Sequence, residues 1–178
     1  MGKTVVAFGL ISGGVLSALM AATVPFEEKI GYDNAMVIGY TTMVVAGLLI
    51  YFGIRSYRDN VAGGSIGFGR AFAIGALIAL ISSACYTATW EVIYFNFEHD
   101  FMTKYQAREI SSMKAKGATQ ADIDKRSADL KKYADMYENP AINSAMTMME
   151  PMPVGLLIAL VSAGALSRRK KQPGLATA

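Results

Sequence analysis

Side chains that commonly carry catalysis or bind metals are scarce in this sequence. It contains one cysteine, Cys85, and one histidine, His99. A lone cysteine excludes a disulfide framework within the chain, and one residue of each type cannot supply a zinc site that needs several Cys and His ligands. Glu98 and Asp100 flank His99, but adjacent residues on a helix point apart, so we interpret this triplet as solvated surface. We expect no catalytic residue, no metal site, no cofactor and no enzymatic activity.

Charged residues are also few. They make up 17% of the chain, against 53% hydrophobic residues, and the mean hydropathy is +0.32. This composition is more apolar than a soluble domain of this size needs. The formal charge of +3 is small, and the basic residues are not concentrated as in a nucleic-acid groove. The composition therefore predicts a membrane protein that contacts the lipid bilayer and binds no nucleic acid.

Four long runs contain almost no charge. They are Thr4–Phe26, Ala35–Ile54, Ala71–Trp90 and Asn139–Ser167, the last interrupted only by Glu150. Each run is long enough to cross a hydrocarbon core of roughly 30 Å as a helix. No strand pattern is visible. We therefore predict an all-α fold, a four-helix transmembrane bundle in which residues 1–178 form a single membrane domain.

The first run has a second interpretation. Lys3 precedes it, and Met20, Ala21 and Ala22 offer a plausible cleavage point, as in a signal peptide. The apolar stretch is longer than a usual signal core. We therefore expect it to remain in the protein as the first span.

Basic residues near the span ends predict the orientation. Arg55, Arg58 and Arg70 lie around the loop between spans two and three, and four basic residues at 168–171 follow span four. Short basic loops stay in the cytoplasm. With an even number of spans, both termini are then expected in the cytoplasm.

The segment between spans three and four is polar. Residues 98–138 carry eight basic and eight acidic side chains, so their net charge is zero. The orientation rule weakens for long loops, and a balanced segment of this length can be translocated. We predict an extracytoplasmic helical hairpin at 98–138.

Local signals set the helix ends in this hairpin. The stretch 98–115 lacks Gly and Pro, so span three is expected to continue through it as one helix. Gly117 then breaks the helix. Thr119, with an acid three residues later, predicts the start of a second helix, and Asn139 followed by Pro140 predicts the start of span four.

Small residues recur at helical spacing in three spans. The three series are Gly9, Gly13, Ser17 and Ala21; Ala71, Gly75, Ala79 and Ser83; and Gly155, Ala159 and Ala163. Such residues allow membrane helices to approach closely. The series are expected to pack the bundle internally, with a homo-oligomer interface or an interface with another membrane protein as the alternative.

Two carboxylates lie in apolar surroundings, where charge is costly and each becomes a functional candidate. Glu91 and Glu150 are predicted near the outer boundary of spans three and four, and Thr87 lies one turn from Glu91 on the same helix face. These three residues could form a polar pocket, which Glu27 and Glu28 could join. The alternative is that the carboxylates are interfacial anchors of helix ends.

Aromatic residues cluster near the outer end of span three. They are Trp90, Tyr94, Phe95 and Phe97. Aromatic rings are enriched at membrane interfaces. We predict that these four are interfacial anchors.

Several stretches together resemble a known family. They are IRSYRD after span two, GGSIGFGRAF into span three, WEVIYF at its outer end, MYENP before span four and MEPMPVGLLIALVSA within it. The chain is similar to the bacterial membrane proteins grouped as domain of unknown function 4199. The resemblance covers nearly the whole chain, implies a small multi-pass protein of the bacterial inner membrane and supplies no activity. Positions that match the family are Gly63, Gly64, Gly69, Trp90, Glu91, Tyr137, Asn139, Pro140, Glu150, Pro153 and Gly155.

Two functions are compatible with these features. The first is a non-enzymatic module that assembles with itself or with another membrane protein. The second is an ion- or proton-coupled transport component that uses Glu91 and Glu150. Against transport, neither carboxylate is predicted near the midplane, where transporter sites usually lie. We favour the assembly module.

Overall fold

The chain folds into eight α-helices and one 3-10 turn over the part that is described. The structure is a computed structural model that describes residues 1–167, apart from the side chain of Glu28. The helices are Gly2–Thr23 (α1), Glu27–Ile30 (α2), Tyr32–Asn60 (α3), Phe68–Asn96 (α4), Phe101–Ala115 (α5), Gln120–Tyr137 (α6), Pro140–Met148 (α7) and Pro151–Leu166 (α8). Every regular element in residues 1–167 is helical, which confirms the predicted all-α class.

Four segments are long and apolar enough to cross a membrane. They are Gly2–Phe26, Tyr32–Asn60, Phe68–Asn96 and Pro140–Leu166. This confirms the predicted number of candidate spans and their positions in the chain. The basic residues at 168–171, on which part of the orientation argument depends, lie outside the described residues.

Two of the predicted helix starts are correct, and each is stabilised by a local contact. Gly117 has a φ of 74°, a left-handed conformation that ends α5. The Thr119 side chain accepts a hydrogen bond from the backbone N–H of Asp122 at the start of α6. Asn139 accepts from two backbone N–H groups at the start of α7, with Pro140 in the first turn.

The prediction that span three continues to Ala115 as one helix is wrong. Helix α4 ends at Asn96 and α5 begins at Phe101. At this break the ring of Phe101 lies 4.9 Å from the ring of Trp90 in an edge-to-face arrangement. A continuous helix would carry Phe101 three turns beyond Trp90, so this contact requires the turn.

Span four is also interrupted, at residues 149 and 150. Helix α7 ends at Met148 and α8 begins at Pro151. Proline has no backbone N–H and its ring clashes with the preceding turn, so the regular hydrogen-bond pattern of α7 cannot continue through it. Glu150 therefore directly precedes the first turn of α8.

The chain divides into two compact units. The first unit comprises Met1–Tyr86 together with the chain from Pro151 onward, and the second comprises Thr87–Glu150. The second unit contains the predicted hairpin 98–138 and extends beyond it at both ends. Within it α5 packs against α6, and α6 packs against α7.

Small residues pack the helices of the first unit. A Cβ atom built on Gly13 would lie 2.6 Å from Cys85 Cβ, and one on Gly9 would lie 2.7 Å from Ile81 Cβ. These contacts join α1 to α4 so closely that no side chain fits between them.

The series on α4 and α8 meet each other in the same way. A Cβ on Gly75 would lie 2.7 Å from Ala159 Cβ, and one on Gly155 would lie 2.8 Å from Ala79 Cβ. All six predicted packing positions therefore contact a neighbouring helix of the same chain.

Large apolar side chains occupy the outside of the first unit. Exposed examples are Leu10 and Val15 on α1, Val44 and Leu48 on α3, and Leu157 and Val161 on α8. An outer surface of large apolar side chains suits lipid rather than water as the surrounding medium. This arrangement and the four apolar helices indicate a membrane location.

Candidate functional site

A buried polar cluster lies at the end of α6 and is centred on Tyr137. The indole Nε1 of Trp90 donates a hydrogen bond of 2.9 Å to the hydroxyl of Tyr137. The same hydroxyl lies 3.4 Å from the Oγ1 of Thr147. Trp90, Tyr137 and Thr147 are all buried. The cluster therefore joins α4, α6 and α7 through side chains alone.

The carboxamide of Asn143 completes the cluster. Thr147 donates through Oγ1 to Asn143 Oδ1 at 3.1 Å, and Asn143 Nδ2 donates to the backbone carbonyl of Tyr137 at 3.2 Å. Because the Thr147 proton goes to Asn143, the Tyr137 hydroxyl is the donor to Thr147. Trp90, Tyr137, Thr147 and Asn143 thus form one directed series of hydrogen bonds, in which each bond polarises the next. We call these four residues the Tyr137 cluster.

Local sequence places these side chains. Asn143 and Thr147 are four residues apart on α7, so they lie on one face of that helix. The Asn139 cap begins α7 only three residues after Tyr137. The polar face of α7 therefore starts next to the end of α6, and Trp90 approaches from α4.

Aromatic rings surround the cluster. The Tyr94 ring lies 5.2 Å from the Tyr137 ring, edge to face. Trp90 and Tyr94 are only 8% and 2% exposed. The prediction that these two residues are interfacial anchors is therefore wrong: their rings are packed inside the second unit, where edge-to-face contacts stabilise aromatic pairs. Phe97, from the same predicted group, is exposed.

Burial controls the chemistry of the Tyr137 phenol. Removal from water raises the pKa of Tyr137 from 10.0 to about 12, although the hydrogen bond that Trp90 donates to the hydroxyl acts in the opposite direction. The charge of Glu150 adds a smaller upward contribution to this pKa. The phenol therefore keeps its proton at neutral pH and serves as a hydrogen-bonding group rather than as a base.

The three residues of the predicted polar pocket all lie in the second unit. Thr87 is buried and Glu91 is half-buried, and neither Thr87 Oγ1 nor Glu91 Oε1 has a hydrogen-bond partner. Glu150 is exposed, and its negative charge contributes to the raised pKa of Tyr137. On the next turn of α4 after Glu91, Tyr94 donates through its hydroxyl to Glu138 Oε1 at 3.1 Å.

The acidic residues do not assemble into a metal site in the described part of the chain. No group of three or more His, Cys, Asp and Glu side chains is placed to hold an ion there. Around His99, the Lys104 ammonium lies 3.1 Å from Asp100 and 3.7 Å from Glu98. These acids take part in surface ion pairs.

A family model described as a protein of unknown function (DUF4199) matches residues 7–168. The chain belongs to the DUF4199 family. This confirms the resemblance found in the sequence. No curated protein and no solved structure matches this DUF4199 chain.

Sequence reasoning on this DUF4199 protein missed two of the four cluster residues. Asn143 and Thr147 were not singled out, although both are polar and stand four residues apart in a mostly apolar run. That spacing was the available signal, since a polar pair on one face of a membrane helix usually faces protein. Trp90 was predicted to be an interfacial anchor, and both Trp90 and Tyr137 match positions of the family.

Proposed function

We propose that this DUF4199 protein is a small multi-pass protein of the bacterial inner membrane that acts as a non-enzymatic assembly or partner-binding module. Both termini lie in the cytoplasm, and the α5–α6 pair lies on the extracytoplasmic side. The basic residues around the loop between α3 and α4 support this orientation. The partner is a second copy of the chain or another membrane protein.

The Tyr137 cluster is the observation that carries this proposal. Its groups are an indole, a phenol, a hydroxyl and a carboxamide, all neutral, and the phenol has its pKa raised to about 12. None of these groups is ionised at neutral pH, and a phenol with a raised pKa is a poor general base. They hold α4, α6 and α7 in one geometry, as a rigid binding module requires.

The close packing of the small residues narrows the choice of assembly surface. Gly13, Gly75 and Gly155 each contact another helix of the same chain at a distance that leaves no space for a side chain. These positions are therefore occupied by intramolecular packing. Assembly must use other surfaces of the spans or of the second unit.

Mass measurement in native lipid tests the proposal. The protein is extracted with its surrounding lipid in copolymer-bounded discs and analysed by native mass spectrometry. We expect a complex of fixed stoichiometry that is heavier than the 19.1 kDa chain. Tyr137→Phe, which removes the central hydroxyl, should weaken the complex several-fold, whereas Tyr133→Phe should leave it intact. A chain that is monomeric and alone in these discs would contradict the proposal.

Ion- or proton-coupled transport is a second candidate function, and one observation favours it. Glu91 Oε1 and Thr87 Oγ1 are buried without hydrogen-bond partners. Buried polar atoms are normally satisfied, so an unpartnered carboxylate oxygen beside an unpartnered hydroxyl is suited to binding a proton or a small cation. Glu150, at the break between α7 and α8, would be the second carboxylate of such a path.

A flux assay separates this candidate from the assembly module. Proteoliposomes that contain the protein and a pH-sensitive dye are given a proton or sodium gradient. Transport predicts flux above that of empty liposomes, lost in Glu91→Gln and reduced in Glu150→Gln. Glu109→Gln is the matched control, because Glu109 pairs with Arg126 in the α5–α6 pair. Flux equal to that of empty liposomes would exclude transport of these ions.

A further inference from the structure

The exposed large apolar residues of the second unit lie in two segments, residues 92–97 and 133–149. They are Val92, Phe97, Tyr133, Met136 and Met149, of which Phe97 and Met149 are 75% and 73% exposed. None of the large apolar side chains between residues 98 and 132 is exposed. The outer part of the α5–α6 pair is therefore polar on its surface, and the apolar surface is confined to the part of the unit where the chain enters and leaves it.

The last turn of α6 belongs to this apolar part. The Tyr133 ring stacks on the Tyr137 ring at 5.7 Å. Tyr137 in turn contacts Trp90 of α4 and Thr147 of α7. Tyr133 and Met136 are thus exposed on a turn that lies directly beside α4 and α7.

The depth of this turn follows from its partners. Trp90 lies six residues before the end of the candidate span at Asn96, and Thr147 lies seven residues after the start of the candidate span at Pro140. At 1.5 Å per residue, they are roughly 9 and 10.5 Å inside the ends of their spans. Tyr137 lies outside both spans in the sequence. Its contacts therefore place it at the same depth as residues that lie within the spans.

Charged neighbours limit how deep the turn can lie. Lys132, Asp135 and Glu138 are exposed around Tyr133 and Met136, and charge is costly in the hydrocarbon core. The headgroup layer accommodates both kinds of side chain, because apolar faces enter it by about 5 to 10 Å while charges stay hydrated. Val92 and Met149, which are also exposed, belong to the candidate spans themselves.

We infer that the last turn of α6 lies in the lipid headgroup layer and contacts the bilayer through Tyr133 and Met136. The α5–α6 pair is thus attached to the membrane surface at three places, the ends of α4 and α7 and the last turn of α6. The occupant of this surface is lipid. The inference holds for either orientation of the chain and does not depend on assembly with a partner.

Depth measurement on α6 tests this inference. In a Cys85→Ser background, a spin label is attached to single cysteines at positions 133 and 136, and the protein is placed in phosphatidylcholine liposomes without any other protein. Positions 125 and 129 are matched controls, because both are exposed and lie on the same helix face at intervals of four residues. Collision rates with oxygen, which enters the bilayer, and with a water-soluble nickel chelate are compared.

We expect the labels at 133 and 136 to collide several-fold less with the nickel chelate, relative to oxygen, than those at 125 and 129. Met136→Cys serves as the independent variant if removal of the Tyr133 ring perturbs the fold. Equal access of the chelate to all four positions would overturn the inference. Because only lipid is present, that result would leave the proposed assembly function unaffected.

Discussion

Asn143 is fully buried, and both ends of its carboxamide are engaged. Asn143→Ala removes the acceptor of Thr147 and the donor to the Tyr137 carbonyl. Because two buried polar groups then lose their partners, we expect the free energy of unfolding to fall by about 1 to 3 kcal/mol. Denaturant titration in detergent measures it. Asn96→Ala is the control, since the Asn96 amide is exposed, and equal losses in the two variants would contradict the role of Asn143.

Tyr137 predicts a pH dependence in the alkaline range. Its pKa in the folded protein is about 12, raised by burial from 10.0. Above pH 10 the unfolded chain loses this proton while the folded chain keeps it, so stability falls as pH rises through this window. The contribution is fully present below pH 10, and its loss by pH 12 amounts to at most about 3 kcal/mol.

Ultraviolet titration of tyrosinate absorbance checks this expectation. The difference between the wild-type protein and Tyr137→Phe should show one tyrosine that ionises near pH 12. Tyr133, whose pKa burial also raises, is present in both proteins and largely cancels in the difference. A difference curve centred near pH 10 would show that the Tyr137 phenol is not buried as described.

Residue patterns alone could not pair Trp90 with Tyr137, because these positions are 47 apart in the chain and no periodicity connects them. Aromatic side chains at a span end are usually interfacial anchors. Aromatic residues occur both at the ends of membrane spans and in the cores of small folded units. Only the return of α6 to α4 distinguishes the two cases.

Among the helices, the contact between α1 and α4 gives the sharpest prediction. Gly13→Ala places a methyl group 2.6 Å from Cys85 Cβ, so α1 and α4 must move apart. We expect a loss of about 1 to 3 kcal/mol in the free energy of unfolding. Gly14→Ala is the matched control, because nothing lies within 4 Å of its Cβ, and it should be neutral or stabilising by up to about 1 kcal/mol. The packing would be contradicted if the two variants had the same stability.

Helix ends set by local chemistry were predictable, and those set by distant contacts were not. Gly117, the Thr119 cap and the Asn139–Pro140 start all act within a few residues, so the sequence at those positions determines them. The end of α4 at Asn96 differs. It accompanies a tertiary contact between Phe101 and Trp90, and the helix propensities of the residues around Asn96 do not predict a turn there. Propensity is a weak predictor where tertiary packing opposes it.

For the whole molecule, the orientation in the membrane is the main expectation to test. In a Cys85→Ser background, Lys116→Cys marks the turn between α5 and α6, and Ser65→Cys marks the exposed loop between α3 and α4. An impermeant thiol reagent added to intact cells should label position 116 and should label position 65 only after the membrane is permeabilised. The reverse pattern would invert the proposed topology.

Hydropathy determined the four spans but not the division into two units. The division falls at Thr87 and Glu150, within segments that are apolar enough to count as candidate spans. Hydropathy averaged over a window of residues cannot detect a boundary between two units when apolar residues continue on both sides of it. Asn143 and Thr147 mark the part of span four that belongs to the second unit, because their polar side chains form hydrogen bonds within that unit.

Trp90 is the one tryptophan in the chain, and it lies inside the Tyr137 cluster. All indole fluorescence of the protein therefore comes from a buried ring with an N–H that is hydrogen-bonded to Tyr137. The emission maximum should lie at short wavelength when residues 87–150 are folded and shift to longer wavelength when water reaches the ring. The protein thus carries an intrinsic optical reporter for this unit, and it needs no attached dye to follow how lipid, a partner or alkaline pH affects its folding.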